Sequence, residues 1–281
     1  MRRRLTVGEA AITALLYLIT AAGAVIMLLP FYWMVASSLM TLPEIIARPP
    51  VWFPRVPQLH NYADLAAALP IDRIYINSLI VTISVTILVL FTSSLTGFGF
   101  AKYHFPGRDT LFLLVLATMM IPFFLLLIPV FFIVKELGWV DTYLGLIVPN
   151  AVTAYGIFLM RQFILGVPDE LLDAARIDGS SEFGLYWRIV LPLSGPALAA
   201  LTILAFLYHW NAFLWPLVVI RSQDLWTIPI GLNNLRLYAS STDTLDLQMA
   251  GATIAVVPVL IVFVALQRYF IQGITLSGLK G

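Results

Sequence analysis

Long apolar runs recur along the chain at about residues 10–39, 74–100, 111–134, 144–163, 195–220 and 247–270, separated by shorter polar stretches. The hydrocarbon core of a bilayer is about 30 Å thick and takes roughly 20 apolar residues in helical form. Each run meets that length, so the pattern predicts an all-α, polytopic membrane protein with six transmembrane helices. The first run follows Met1-Arg2-Arg3-Arg4, and Ala22-Gly23-Ala24 within it looks like a signal-cleavage site. A signal's apolar region is only about 7–15 residues long, whereas this run continues through Val25, Leu28 and Phe31, so it is read as a span. Pro30, Pro122, Pro129, Pro149 and Pro258 fall inside apolar runs. Each removes a backbone donor, which suits a hinge and equally suits a proline that a bilayer helix simply tolerates. Gly97-Phe98-Gly99 is read as a place where two helices approach, because a lone G-x-G inside a span lacks the strand-to-helix setting of a nucleotide loop.

Six spans put both termini on one side, and the arginine triplet assigns that side to the cytoplasm. The inner side then carries ten lysines and arginines against six outside, and the segment between the fourth and fifth spans lies in the cytoplasm. Composition agrees with a bilayer protein, since 60% of residues are apolar and 11% charged against roughly 25% charged in soluble domains. A net charge of +1 gives no signal for nucleic acid, and the absence of cysteine excludes disulfides, thiolate metal sites and a cysteine nucleophile.

Chemistry is removed by the same reading. A P-loop needs lysine followed by serine or threonine, and the three lysines precede Tyr103, Glu136 and Gly281, so any ATP energy must enter from another subunit. His60, His104 and His209 fall outside, inside and within a span, and no H-E-x-x-H or G-x-S-x-G occurs. No span clearly places a charged coupling residue at depth, as ion-driven carriers do. The polar groups there are mainly neutral, among them Asn77, Ser78, Asn150, Thr153, Asn211 and Gln267, an inventory that suits a neutral, hydroxyl-bearing solute.

The stretch 168–192 is the one long polar interruption between apolar runs on the inner side. Pro168 suits a first helical turn, Asp169 and Glu170 favour its positive end, and Gly179 suits the left-handed turn that ends it. Leu171, Ala174, Ala175 and Leu172 are assigned to one shallow face, flanked by Asp173 and Arg176. A second short helix follows, stopped by Pro192. On spacing alone this helix-turn-helix is also an ordinary amphipathic hairpin at the membrane surface.

The order Asp173-Ala174-Ala175, three residues, Gly179, nine residues, Ile189-x-Leu191-Pro192 resembles the EAA loop of ABC importer permeases, with aspartate where glutamate is usual. Pro50-Val51-Trp52-Phe53-Pro54, Asn61-Tyr62, Asn77-Ser78, Phe105-Pro106-Gly107, Met120-Ile121-Pro122, Trp210-Asn211-x-Phe213 and the tail from Gln267 to Gly281 extend the likeness to the maltose-type carbohydrate permeases. That resemblance implies the type I ABC importer permease fold, with an N-terminal helix and first periplasmic loop over 1–72, a permease core over 73–270 and a cytoplasmic tail over 271–281. It implies a second permease subunit, an ABC ATPase dimer and an extracytoplasmic solute-binding protein as partners, and no enzyme activity or bound cofactor in this chain, ATP and Mg being used by the ATPase. The ATPase-coupling set would be Leu171, Asp173, Ala174, Ala175, Arg176, Asp178, Gly179, Ile189, Leu191 and Pro192, and the tail from Gln272 would be a second contact. The connection 221–246 is either the contact for the binding protein or a simple closure loop. Trp52 and Phe53 of the first outer loop fit a rigid, interface-anchored spacer. Asn150, Tyr155, Tyr208, Trp210, Asn211 and Phe213 are the candidates for the solute path, a set that serves helix packing equally well. A self-contained facilitator or secondary carrier is the competing function.

Overall fold

The computed structural model describes residues 7–238 and 244–277. Among them there are helices and no strands. In chain order they are α1 (Val7–Ser38), α2 (Leu42–Ile45), α3 (His60–Ala68), α4 (Ile71–Lys102), α5 (Arg108–Thr118), α6 (Phe123–Glu136), α7 (Tyr143–Ile147, extended by a 3-10 turn to Asn150), α8 (Ala154–Ile164) and α9 (Asp169–Ile177). Then come α10 (Glu182–Leu185), a π turn (Tyr186–Val190), α11 (Leu191–Leu193), α12 (Gly195–Trp210), α13 (Leu214–Val219), α14 (Ile228–Tyr238) and α15 (Leu245–Ser277). Three are long and apolar enough to cross a bilayer as single rods, and the number reaches six if each of three bent helix pairs forms one span.

The bends have local causes. Helices α5 and α6 meet at 100°, where Pro122 caps α6 in an extended conformation; a proline also drives the residue before it out of the helical region. Pro149 lies in the 3-10 turn at the 43° bend before α8. The expected uninterrupted run over 195–220 is instead broken after Trp210. Pro216 explains this, because it has no amide for the carbonyl of Ala212 and is accommodated only in the first turn of a new helix, α13. The helix from Glu182 widens into the π turn just before Pro192, and the Leu191 amide reaches back to Tyr186. A wider turn relieves the clash of a proline ring with the carbonyl four residues earlier. The tail expected from residue 271 begins as helix, since α15 continues through Ser277; residues 278–281 lie outside the described residues.

The chain divides into two compact units, residues 1–69 with 232–256 and residues 70–231 with 257–281. In the first, the end of α1 is closed by Asn61, whose amide donates to the carbonyls of Ser38 and Met40 at 3.0 Å each. Trp52 and Phe53 stand edge-on to Trp33 and Tyr32 of α1, so this part of the Pro-rich loop lies against α1. Glu44 caps α2 through Thr41 and accepts the Arg55 amide.

In the second unit α4 is the central rod, packed against α8 and α12. Small residues let α4 and α8 approach to backbone contact. A Cβ on Gly97 would stand 2.8 Å from the Met160 Cβ and 2.9 Å from the Arg161 amide nitrogen, and one on Gly156 would collide with the Ser93 hydroxyl. Gly97 thus has the packing role expected of it, while a Cβ on Gly99 meets nothing. Thr92 donates to the carbonyl of Ala151 at 2.9 Å, satisfying a backbone group left open where α7 and α8 are interrupted.

Candidate functional site

Helix α9 starts after Pro168, carries Asp169 and Glu170 in its first turn and Arg176 in its last, and closes on Gly179 at φ +83. Those features complement the helix dipole, and the positive φ is one that glycine adopts without strain. Of two adjacent leucines, Leu172 is 1% exposed in the core shared with Leu185, Tyr186 and Val190, and Ala175 packs against that core. Leu171, Ala174 and Ile177 lie three residues apart on the other side, with Ile177 87% exposed. The outward apolar face is therefore Leu171, Ala174 and Ile177, and Ala175, assigned to it from the sequence, is turned inward. Ile177 was legible from its spacing to Leu171 and Ala174 but is absent from the expected set.

Asp173 and Arg176 are joined at 2.9 Å, and Arg176 also forks onto both oxygens of Glu182 at 3.0 and 3.2 Å. Tyr103, the residue that caps α4, donates its hydroxyl to Glu182. Lys102, with a side chain 5% exposed, donates to the Val167 carbonyl at 2.6 Å and to Asp169 at 2.7 Å. Tyr186 meets Ser94 of α4 at 2.8 Å. Burial, followed by the adjacent Glu182 carboxylate, pushes the Tyr103 phenol up to about 12. Arg176 and then Tyr103 hold Glu182 below the ordinary carboxylate value, Lys102 does the same for Asp169, and Glu182 foremost raises Arg176. Lys102, Tyr103 and Glu182 were not among the residues expected from the sequence. Ile189 and Leu191 pack against the core, Pro192 is exposed within α11, and Asp178 is the exposed cap of α9.

A cavity of about 530 Å³ opens between α4, α8 and α12, lined by Val89, Phe123, Asn150, Thr153, Tyr155, Leu201, Tyr208 and His209 among others. Asn150, Tyr155 and Tyr208 of the expected solute path are brought together there, both tyrosines exposed. Trp210 is not among the lining residues; it is buried, stacked on Phe206 and edge-on to Tyr75. Asn211 caps α12 by donating to Leu207, and Phe213 precedes α13. Two further groups of the polar inventory are spent on structure. Asn77 donates to the carbonyls of Asp224 and Trp226 and accepts from the Tyr143 hydroxyl, and Ser78 accepts the Ile228 amide. These bonds fold residues 224–228 of the connection 221–246 back onto α4, and Arg73 adds an ion pair to Asp224 at 2.8 Å. Residues 239–243 of that connection lie outside the described residues.

A family model described as the inner membrane component of binding-protein-dependent transport systems matches residues 93–276, which include the loop, α4's last turns and most of the cavity. The chain belongs to this family. The permease is 48% identical over 205 residues to the arabinooligosaccharides transport system permease protein AraQ of Halalkalibacterium halodurans, covering 73% of each chain. It is 32% identical over 265 residues to the sn-glycerol-3-phosphate transport system permease protein UgpE of Brucella abortus, covering 92% of this chain and 94% of that one. Among solved structures, a chain of a bacterial ABC transporter involved in the import of the acidic polysaccharide alginate superposes with a TM-score of 0.79 at 21% identity, covering 95% of this permease and 99% of that chain. The permease thus has the all-α, polytopic fold of type I ABC importer permeases, and it is a multi-pass membrane protein of a binding-protein-dependent importer.

Proposed function

We propose that this permease, paired with a second permease subunit, passes a carbohydrate or related polyhydroxy solute across the cytoplasmic membrane, with an extracytoplasmic binding protein delivering the solute. An ABC ATPase dimer supplies the energy, using ATP and Mg, and this chain has no ATPase site of its own. Both termini and the loop 168–192 face the cytoplasm. The observation that carries the reading is α9: its inner face is bonded to the transmembrane core while Leu171, Ala174 and Ile177 stand exposed, the arrangement needed by a helix that seats in a partner's cleft. The solute class is supported by the names of the two relatives, one for arabinooligosaccharides and one for glycerol phosphate, and by two exposed tyrosines in the cavity, whose flat faces and hydroxyls suit sugar rings. A self-contained facilitator is disfavoured by the family membership.

In proteoliposomes holding the assembled importer, Gly179→Pro and Asp173→Arg are expected to leave insertion intact and to uncouple ATP hydrolysis from uptake. Proline cannot adopt φ +83, and arginine at 173 sets a like charge against Arg176. Unchanged uptake by both variants would remove the coupling role of α9. Stimulation of the ATPase by the binding protein across arabinose oligosaccharides, glycerol phosphate and polyols identifies the solute.

A further inference from the structure

Two consecutive residues at the end of α4 grip both ends of α9. Lys102 holds its start through Val167 and Asp169, and Tyr103 holds its finish through the Glu182 carboxylate that Arg176 clasps. Lys102 is nearly buried, and a desolvated ammonium with a carbonyl and a carboxylate as partners cannot let go of both without a large cost. A displacement of α9 therefore has to carry the last turn of α4 with it. The helix is unbroken from Ile71 to Lys102, and Val89, thirteen residues before Lys102 and about 20 Å away along the axis, lines the membrane cavity. Between those two points α4 is locked to α8 at Ser93 against Gly156 and at Gly97 against Met160, and Arg161 donates to the Phe100 carbonyl. The residues just before Gly156, Thr153 and Tyr155, line the same cavity.

We propose that Lys102 and Tyr103 are positioning residues that convey movement of α9 to the cavity by way of α4, so that the α4–α8 pair moves as one body when the ATPase closes. This rests on the importer reading given above. Spatial continuity alone does not establish coupling, so the test reads the far end. The chain has no cysteine, and Val152→Cys places its only thiol on the cavity wall, at a position 60% exposed. In the assembled importer in nanodiscs, the rate at which an impermeant maleimide labels this chain is measured without nucleotide and with ATP and vanadate.

With Lys102 and Tyr103 in place, nucleotide is expected to change the rate. Lys102→Met is expected to shrink that change by about 2- to 30-fold, the range for residues within a coupling network. Tyr103→Phe should act in the same direction and more weakly, while assembly and ATP hydrolysis persist in both. Lys102→Arg should restore the response, because it keeps a cation with several donors at the same place. A nucleotide response of native size in both Lys102→Met and Tyr103→Phe overturns the proposal. So does a loss of assembly or hydrolysis that matches the loss of response, since that is the mark of a merely structural role. Absence of any response with both residues in place overturns the proposal too, whereas loss of binding-protein-dependent uptake by the same importer is what would count against the importer reading.

Discussion

The two ends of α4 are fastened by different chemistry. At its N-terminal end, Asn77 and Ser78 are buried and bond mainly to backbone, at Asp224, Trp226 and Ile228, with Tyr143 completing the Asn77 amide and the Arg73–Asp224 ion pair exposed at the margin. At its C-terminal end, Lys102 and Tyr103 meet carboxylates, and Asp169 and Glu182 are more than half exposed. Neutral bonds in a buried place are costly to leave unmade and are not screened. The Lys102 ammonium is nearly buried and firmly held, but the carboxylates that it and Tyr103 meet lie at the surface, where salt and neighbouring charges reach them. One end is therefore built as a fixed pivot, and the other as a handle joined to α9 whose carboxylates stand open to solvent.

Breaking the pivot should give the largest effect. Asn77→Ala leaves the Trp226 carbonyl and the Tyr143 hydroxyl without their Asn77 partner, while the Asp224 carbonyl keeps the Arg73 Nε–H, and each group so orphaned away from water costs about 1–3 kcal/mol. A marked fall in the unfolding temperature of the detergent-solubilised permease is expected, followed by tryptophan fluorescence. Tyr103→Phe, at the handle, should barely move that temperature. Equal destabilisation by the two variants would erase the distinction between the ends.

The rod between the ends offers the second test. Gly97→Ala puts a Cβ against the backbone of Arg161, which cannot rotate away, and overpacking of this kind costs about 1–3 kcal/mol. Gly99→Ala meets nothing and removes a flexible residue from a helix, so it should be neutral or slightly stabilising. The same thermal measurement separates them, and a neutral Gly97→Ala would show that α4 and α8 are not locked.

Much of this architecture was legible in the pattern of residues. The apolar runs located the membrane segments, Pro122 and Pro149 marked two of the bends, Gly179 marked the end of α9, and the small residue at 97 marked a close helix contact. What escaped depended on long-range packing. Leu171 and Leu172 are adjacent leucines of one helix, and only the position of the core shared with Leu185, Tyr186 and Val190 decides that Leu172 is the one that turns inward. Asn77 looked like a polar group available to solute, because nothing local says that residues 224–228 fold back to meet it. Pro216 is the exception, a local signal that placed the break after Trp210 and was available all along.

The smallest effect concerns the handle, and it separates charge from protonation. Lys102 depresses the Asp169 carboxyl below its ordinary 3.8, so the stabilisation from this pair is complete above the unfolded value and is lost only as pH falls through the lower folded value. Glu182 behaves alike below its ordinary 4.5. Tyr103 runs the other way: with its phenol raised to about 12, the donor is retained from below its ordinary 10 until pH rises through 12. None of these three groups therefore changes its charge between about pH 5.5 and 8.5. Salt should reach the handle within that range, because the Debye length shrinks from about 10 Å at 0.1 M to about 3 Å at 1 M. Hydrogen exchange over residues 169–182 is expected to quicken by no more than about fivefold at 1 M salt, the scale of exposed ion pairs, while residues 226–228, bonded to Asn77 and Ser78, stay unchanged. A salt-insensitive handle would mean that its hold on α9 comes from the packing of Leu172 and Tyr186 rather than from Lys102 and Glu182.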